Sequence, residues 1–227
     1  MRVIRGRAAT VATDREASRR LLDWVADTGE PAVRVWTPHR QVAFGRRDAG
    51  SPGYEQAKQA ANAHGFPPIE RNVGGRAVAY TGTTVAFGRA VPISDMRSGL
   101  SDRYDTLTAD VQTALARLSV HATTGEPPNS FCPGAHSLQA DGKLVGIAQR
   151  VRRGAALVAG ICIVTDHAEI AAVLDPVYDA LGVPFDPHSV GSVEKAGGPA
   201  DSQKVIDALE GALAGSGDHE VVSVRDV

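Results

Sequence analysis

Two cysteines, Cys132 and Cys162, are all that this chain of 227 residues holds, and a fold of that size held by disulfides would carry more. Both are read as free thiols, which predicts a reducing, cytoplasmic setting. The seven histidines are scattered without the spacing of a zinc site, so no metal ligand set is expected. Charge of neither sign is in excess. With 24 Lys and Arg against 26 Asp and Glu, the net charge is −2 and the pI near 6.4, which gives no basic footprint for nucleic acid. No apolar run approaches the ~18 residues of a membrane span, and the basic start from Met1 to Arg7 lacks the apolar core of a signal peptide. What remains is an ordinary globular composition, 43% hydrophobic and 22% charged. There is no internal repeat and no low-complexity stretch. The loop from Gly182 to Pro199 is the sole candidate boundary, and too little follows it to fold alone. One domain over residues 1–227 is expected, with no large C-terminal accessory domain.

Helical spacing is plain in four places: residues 14–28 behind a possible Asp14 cap, residues 54–64 closed by Gly65, residues 102–118 and residues 167–181. A last helix is expected over residues 202–213. Val33, Val35 and Trp36 read as a strand, with Val42 to Phe44 as its hairpin partner across Thr37 to Arg40. A second hairpin is expected between Ala77–Tyr80 and Thr84–Phe87, and a third between residues 143–151 and 155–164 across Arg152, Arg153 and Gly154. These elements predict an α+β domain, a mixed or antiparallel sheet with helices on its faces.

Residues 132–150 carry the most chemistry. Cys132 sits beside the turn Pro133-Gly134, and Lys143 follows a second turn, Asp141-Gly142, at the start of an apolar strand. A thiol able to carry an acyl group and a cation able to steady its oxyanion lie eleven positions apart, within reach of one pocket. An unperturbed thiol of pKa ~8.5 needs a nearby cation or amide dipoles to react as thiolate, and Lys143 or His136 are the candidates. The ordinary alternatives are a small buried cysteine and a solvated turn lysine. Cys162, mid-strand between Ile161 and Ile163, is read as core. Upstream, Gly74 and Gly75 either form a tight strand connection or let backbone amides and a fatty chain come close.

Three ordered blocks resemble the biotin/lipoate protein ligase and acyltransferase superfamily. They are Gln41-Val42-Ala43-Phe44-Gly45-Arg46, Arg71-Asn72-Val73-Gly74-Gly75-Arg76-Ala77-Val78, and the run from Cys132 through Asp141-Gly142-Lys143 to Gly146-Ile147-Ala148-Gln149-Arg150. The Cys-Pro-Gly element and Gly-Ile-x-Gln-Arg are similar to the octanoyltransferases that move octanoate between carrier proteins. The resemblance implies the class II aminoacyl-tRNA synthetase/biotin synthetase-like fold and an acyltransferase active in protein lipoylation. It implies Cys132 as the nucleophile that forms a thioester and Lys143 as the contact of the acyl carbonyl. Arg71, Val73, Gly74, Gly75, Ala77, Val78, Gly146, Ile147 and Ala148 would bind substrate. Burying a tail of seven carbons at ~0.8 kcal/mol per methylene is worth roughly 5 kcal/mol, enough to select acyl length.

The implied substrates are an octanoyl or lipoyl group and a carrier domain, either glycine cleavage protein H or a dehydrogenase lipoyl domain, with no cofactor required, no nucleic acid and no membrane. The alternative is an ATP- and magnesium-dependent lipoate–protein ligase forming lipoyl-adenylate, with Cys132 incidental. Biotin ligation ranks behind both, since Gly-Arg-Gly-Arg-x-Gly is missing. Ala79-Tyr80-Thr81, where many relatives place a histidine and an acidic residue, and Ile147, where the ligases have serine, keep a binding module without activity as a third class. Arg150, Arg152 and Arg153 are either a solvated turn or a docking site for an acidic carrier.

Overall fold

The computed structural model describes residues 1–71 and 75–227. In chain order the elements are β1 (Arg2–Arg5), α1 (Val11–Thr28), β2 (Ala32–Trp36), β3 (Gln41–Phe44), the single turn α2 (Arg46–Ala49), α3 (Tyr54–Ala63), β4 (Pro68–Glu70), β5 (Val78–Tyr80), β6 (Val85–Pro92), α4 (Leu100–Arg117), β7 (Thr123–Thr124), β8 (Ser137–Gln139), β9 (Lys143–Arg152), β10 (Ala155–Cys162), α5 (His167–Ala180), α6 (Ser202–Ala214) and β11 (Glu220–Ser223).

Local chemistry sets the helix ends. The Thr10 hydroxyl accepts from the Thr13 N–H and caps α1, which stops at Gly29 with φ 73°. Asp14, expected as the cap, lies instead inside the first turn. It is buried against the Arg34 guanidinium (2.5 Å) and accepts from the Trp36 indole N–H (2.8 Å), so the carboxylate is spent on a tertiary pair. The other four predicted helices form within a few residues of their expected bounds.

Eight strands form one twisted sheet in the order β11-β1-β2-β6-β10-β9-β8-β7, and β4-β3-β5 form a second. Pairing is parallel at β11/β1, β1/β2 and β3/β4 and antiparallel elsewhere, which makes the sheets mixed, as expected. The expected β9/β10 hairpin forms, with Ala155 opposite Arg152. The other two do not. β2 pairs with β1 and β6 in the large sheet, whereas β3 pairs with β4 and β5 in the small one. Likewise β5 belongs to the small sheet and β6 to the large. Each presumed hairpin turn is a crossing between sheets.

Alternation along the strands divides the core. Val33, Phe87, Val145 and Val158 pack with Leu107, Leu115 and Leu209 of α4 and α6. On the opposite face Ile4, Ala32, Ala90 and Ala155 meet α1. Ile161 and Ile163 join Phe44, Phe66, Phe131, Leu174 and Tyr178, a cluster that ties the small sheet, α3 and α5 to the large sheet. The segment between β7 and β8 crosses the rim of this last cluster and carries Cys132. Among the described residues no helix is long and apolar enough to cross a membrane.

Candidate active site

Cys132 has φ 41°, in the left-handed region that a non-glycine residue rarely occupies. Such a conformation persists only where its surroundings impose it, and here both peptide groups of the residue are fixed. Its N–H donates to the Tyr178 hydroxyl (2.6 Å), which in turn donates to the Ala77 carbonyl (2.9 Å). Its carbonyl accepts from the Lys143 ammonium at 2.8 Å. Phe131, buried next to it, anchors the chain before the turn. Tyr178 is enclosed by α5 and the small sheet, and burial pushes its phenol well above the usual range.

The thiol is partly exposed and turned toward the loop between β4 and β5. The Arg76 N–H points at Sγ at 3.3 Å. Gly75, with φ 93°, stands so close that a Cβ there would lie 2.9 Å from the sulfur. Only glycine provides both that backbone angle and that clearance. The side chain of Arg76 turns away to the buried carboxylate of Asp48 (3.3 Å), which also accepts from the Gly45 N–H (2.9 Å). Arg71 reaches back to the Arg76 carbonyl at 2.6 Å and so closes the loop that presents the Arg76 N–H. Burial pushes the Asp48 carboxyl up, against the pull of those two donors.

Lys143 is buried at the first position of β9. The Gly142 turn puts it there. Gly142 has φ 109° and packs so tightly on Gly191 that a Cβ would come within 2.7 Å of the Gly191 nitrogen. All three ammonium protons have partners: Glu126 Oε2 at 2.6 Å, the Phe131 carbonyl at 2.9 Å and the Cys132 carbonyl at 2.8 Å. The predicted thiol and ammonium therefore share one turn, with the ammonium beneath the cysteine backbone and the sulfur facing the glycine loop.

The remaining predicted residues sort by distance from that turn. Gly146 lies beside Lys143 Cε, at 3.7 Å from where its Cβ would be. The Ile147 N–H donates to the His136 carbonyl (2.9 Å). Ala148 is exposed farther along β9, and Ala77 and Val78 are buried in the cluster around Tyr178. Val73 and Gly74 lie outside the described residues. His136, a candidate to favour thiolate, stacks instead on Tyr104 with centroids 3.6 Å apart. Arg46 is exposed, and Arg152 of the basic hairpin end pairs with Asp23. Cys162 is fully buried and its thiol is pushed up to about 12 by burial, as a packed residue should be. Two clefts of about 220 and 420 Å³ open elsewhere, one beside Arg89 and Leu107, the other beside His167 and His188. Among the described residues no group of three or more His, Cys, Asp or Glu is placed to hold a metal.

Three participants escaped the sequence: Glu126, Tyr178 and the Arg76 N–H. Glu126 stands in what reads as a proline break, Tyr178 reads as the apolar stripe of a helix, and a backbone donor has no sequence signal at all.

Residues 12–214 match the model of the lipoyl protein ligase A/B catalytic domain. Among curated proteins, the octanoyl-[GcvH]:protein N-octanoyltransferase of Exiguobacterium sibiricum is 34% identical over 137 residues, 58% of this chain and 49% of that protein. The one from Anoxybacillus flavithermus is 32% identical over 154 residues, 66% of this chain and 54% of that protein. The chain thus spans about half the length of the curated relatives it matches. Among solved structures, lipoate-protein ligase A bound with ATP superposes with a TM-score of 0.78 at 20% identity, covering 99% of this chain and 92% of that one. A bi-partite lipoate protein ligase from Thermoplasma acidophilum, described with its E2 lipoyl domain, gives 0.61 at 17% identity over 99% and 90%. The class II synthetase-like fold implied by the resemblance is the one observed.

Proposed function

The chain belongs to the lipoyl protein ligase A/B catalytic-domain family, and on that premise we propose that it transfers an octanoyl or lipoyl group between carrier domains through a thioester on Cys132. The observation that carries this reading is the state of Cys132: a backbone held at φ 41° from both sides, with its sulfur against the Arg76 N–H and the Gly75 gap. A buried packing cysteine, such as Cys162, has none of these features. The activity that the relatives are named for supports octanoate as the group and glycine cleavage protein H as a carrier.

In the first step the Cys132 sulfur attacks the acyl carbonyl on the donor's lysine. The carbon–nitrogen bond breaks, the donor lysine nitrogen takes up the thiol's proton and leaves as its amine, and a thioester forms. In the second step the lysine amine of a dehydrogenase lipoyl domain attacks the thioester, and the carbon–sulfur bond breaks as the new amide forms. The Arg76 N–H faces the sulfur, a backbone donor already in place that needs no reorganisation as charge develops there. Lys143 supplies positive charge to the acyl oxygen, one of its three protons turning from Glu126 to the substrate. Arg71, Gly75 and Gly146 border the turn that carries the thiol and the ammonium. No nucleotide enters either step, so no cofactor is required.

The test is octanoyl transfer to an apo lipoyl domain, with and without ATP and magnesium, in wild type, Cys132→Ala and Lys143→Ala. Transfer without nucleotide that both substitutions abolish is expected. Full activity of the Cys132 variant, or transfer only with ATP, overturns the reading in favour of an adenylating ligase.

A further inference from the structure

In the steps just described Glu126 enters only as the partner that a Lys143 proton turns from, yet it holds three points around the turn that performs them. Oε2 accepts from the Lys143 ammonium (2.6 Å) and from the Ser137 hydroxyl (2.7 Å), while Oε1 accepts from the Gly134 N–H (3.0 Å). It therefore ties together the residue two places after the nucleophile, the start of β8 and the first residue of β9. Among the described residues its carboxylate is the one side-chain hydrogen-bond acceptor of an ammonium whose other two acceptors are the carbonyls of Phe131 and Cys132. Lys143 is 1% exposed, and an ammonium at that depth without a counter-charge is strongly disfavoured. Glu126 is 18% exposed and so keeps part of its side chain in contact with solvent.

We propose that Glu126 is the positioning residue of acyl transfer: it holds the Lys143 ammonium in place and aims its third proton at the position the acyl oxygen takes. The two carbonyl partners belong to the turn itself and cannot leave without breaking it. Glu126 is the one of the three partners that is a side chain outside the turn's backbone, so contact with an acyl oxygen passes through the bond that Glu126 now holds. Its second role is geometric. By accepting from Gly134 and Ser137 it fixes the turn on the side away from the sulfur, where Tyr178 does not reach. This inference rests on the thioester reading.

The experiment is single-turnover loading of the full chain with an octanoylated carrier domain, without nucleotide, followed by intact-mass spectrometry over a range of donor concentrations. Wild type is expected to gain one octanoyl group on Cys132. Glu126→Gln keeps the shape and removes the charge. It is expected to lower the maximal loading rate about 10- to 100-fold, the range set by loss of a hydrogen bond to a charged group, while the donor concentration for half-maximal rate stays within about threefold. Glu126→Asp restores the charge and is expected to recover most of that rate. Ser137→Ala, which removes one hydrogen bond to the carboxylate and leaves the ion pair, is expected to lose about threefold. Should Glu126→Gln fail to fold, Ser137→Ala carries the test. A Gln variant that loads at the wild-type rate overturns the positioning role while leaving the thioester intact. So does Ser137→Ala at the wild-type rate if the Gln variant does not fold. Failure of the wild type itself to load would instead overturn the thioester reading.

Discussion

Lys143→Met is the substitution that most directly weighs the turn. The ammonium serves three acceptors in a site where its side chain is 1% exposed. Methionine fills much of the same volume but donates nothing. The carbonyls of Phe131 and Cys132 lose their described side-chain donor, and Glu126 keeps the bonds from Gly134 and Ser137 but loses its counter-charge. Breaking a buried pair by removing one partner costs about 3–5 kcal/mol. For a chain of this length each kcal/mol lowers Tm by about 2–4 °C, so a fall on the order of 10 °C is expected. Urea denaturation of Lys143→Met, Glu126→Gln and the double variant separates the pair from its surroundings. The two single costs are expected to exceed the cost of the double by about 1.5–3 kcal/mol, since each single variant leaves one charge stranded. A loss below about 1 kcal/mol for Lys143→Met, or strict additivity, would mean that the ammonium is not held as described.

Tyr178→Phe removes the hydroxyl between the Cys132 N–H and the Ala77 carbonyl; a loss of about 1–3 kcal/mol and slower acyl loading are expected by denaturation and mass spectrometry. Gly75→Ala must place a Cβ at φ 93° and 2.9 Å from the sulfur, so the strain of about 1–2 kcal/mol should come with near-complete loss of loading in a protein that still folds. Burial raises the Cys162 thiol to about 12 and the Tyr178 phenol further, so both groups bind their protons more tightly folded than unfolded. Stability is therefore full below the ordinary thiol value of 9.0 and falls as pH rises from there toward 12, which denaturation at graded alkaline pH should show. Under native conditions at pH 8, iodoacetamide is expected to label Cys132 and spare Cys162.

The helices were legible because their apolar spacing and their glycine stops are local. The Gly65 stop and the apolar spacing of residues 102–118 needed no knowledge of partners. Six strands were legible, though β1, β4, β7, β8 and β11 were not, and two of three pairings were missed because a short turn between strands reads the same whether the chain folds back or crosses to another sheet. Only β9 and β10, joined through Arg152, Arg153 and Gly154, kept the local rule. Asp14 was misread for a related reason: a carboxylate at the start of a helix satisfies capping chemistry on paper, and the partner that claimed it, Arg34, lies on another element. Of the site, Cys132, Lys143 and Gly75 stood out because they sit in turns with a chemical purpose. Glu126 and Tyr178 did not, since their significance comes from atoms 17 and 46 positions away in the chain.

The central claim concerns a covalent acyl group on one sulfur. Peptide mapping of the protein after incubation with octanoylated carrier domain and no nucleotide tests it most directly. An octanoyl mass on the peptide containing Cys132, lost in Cys132→Ser and discharged when an apo lipoyl domain is added, is the predicted result. An unmodified Cys132 under conditions in which the lipoyl domain becomes octanoylated would contradict it.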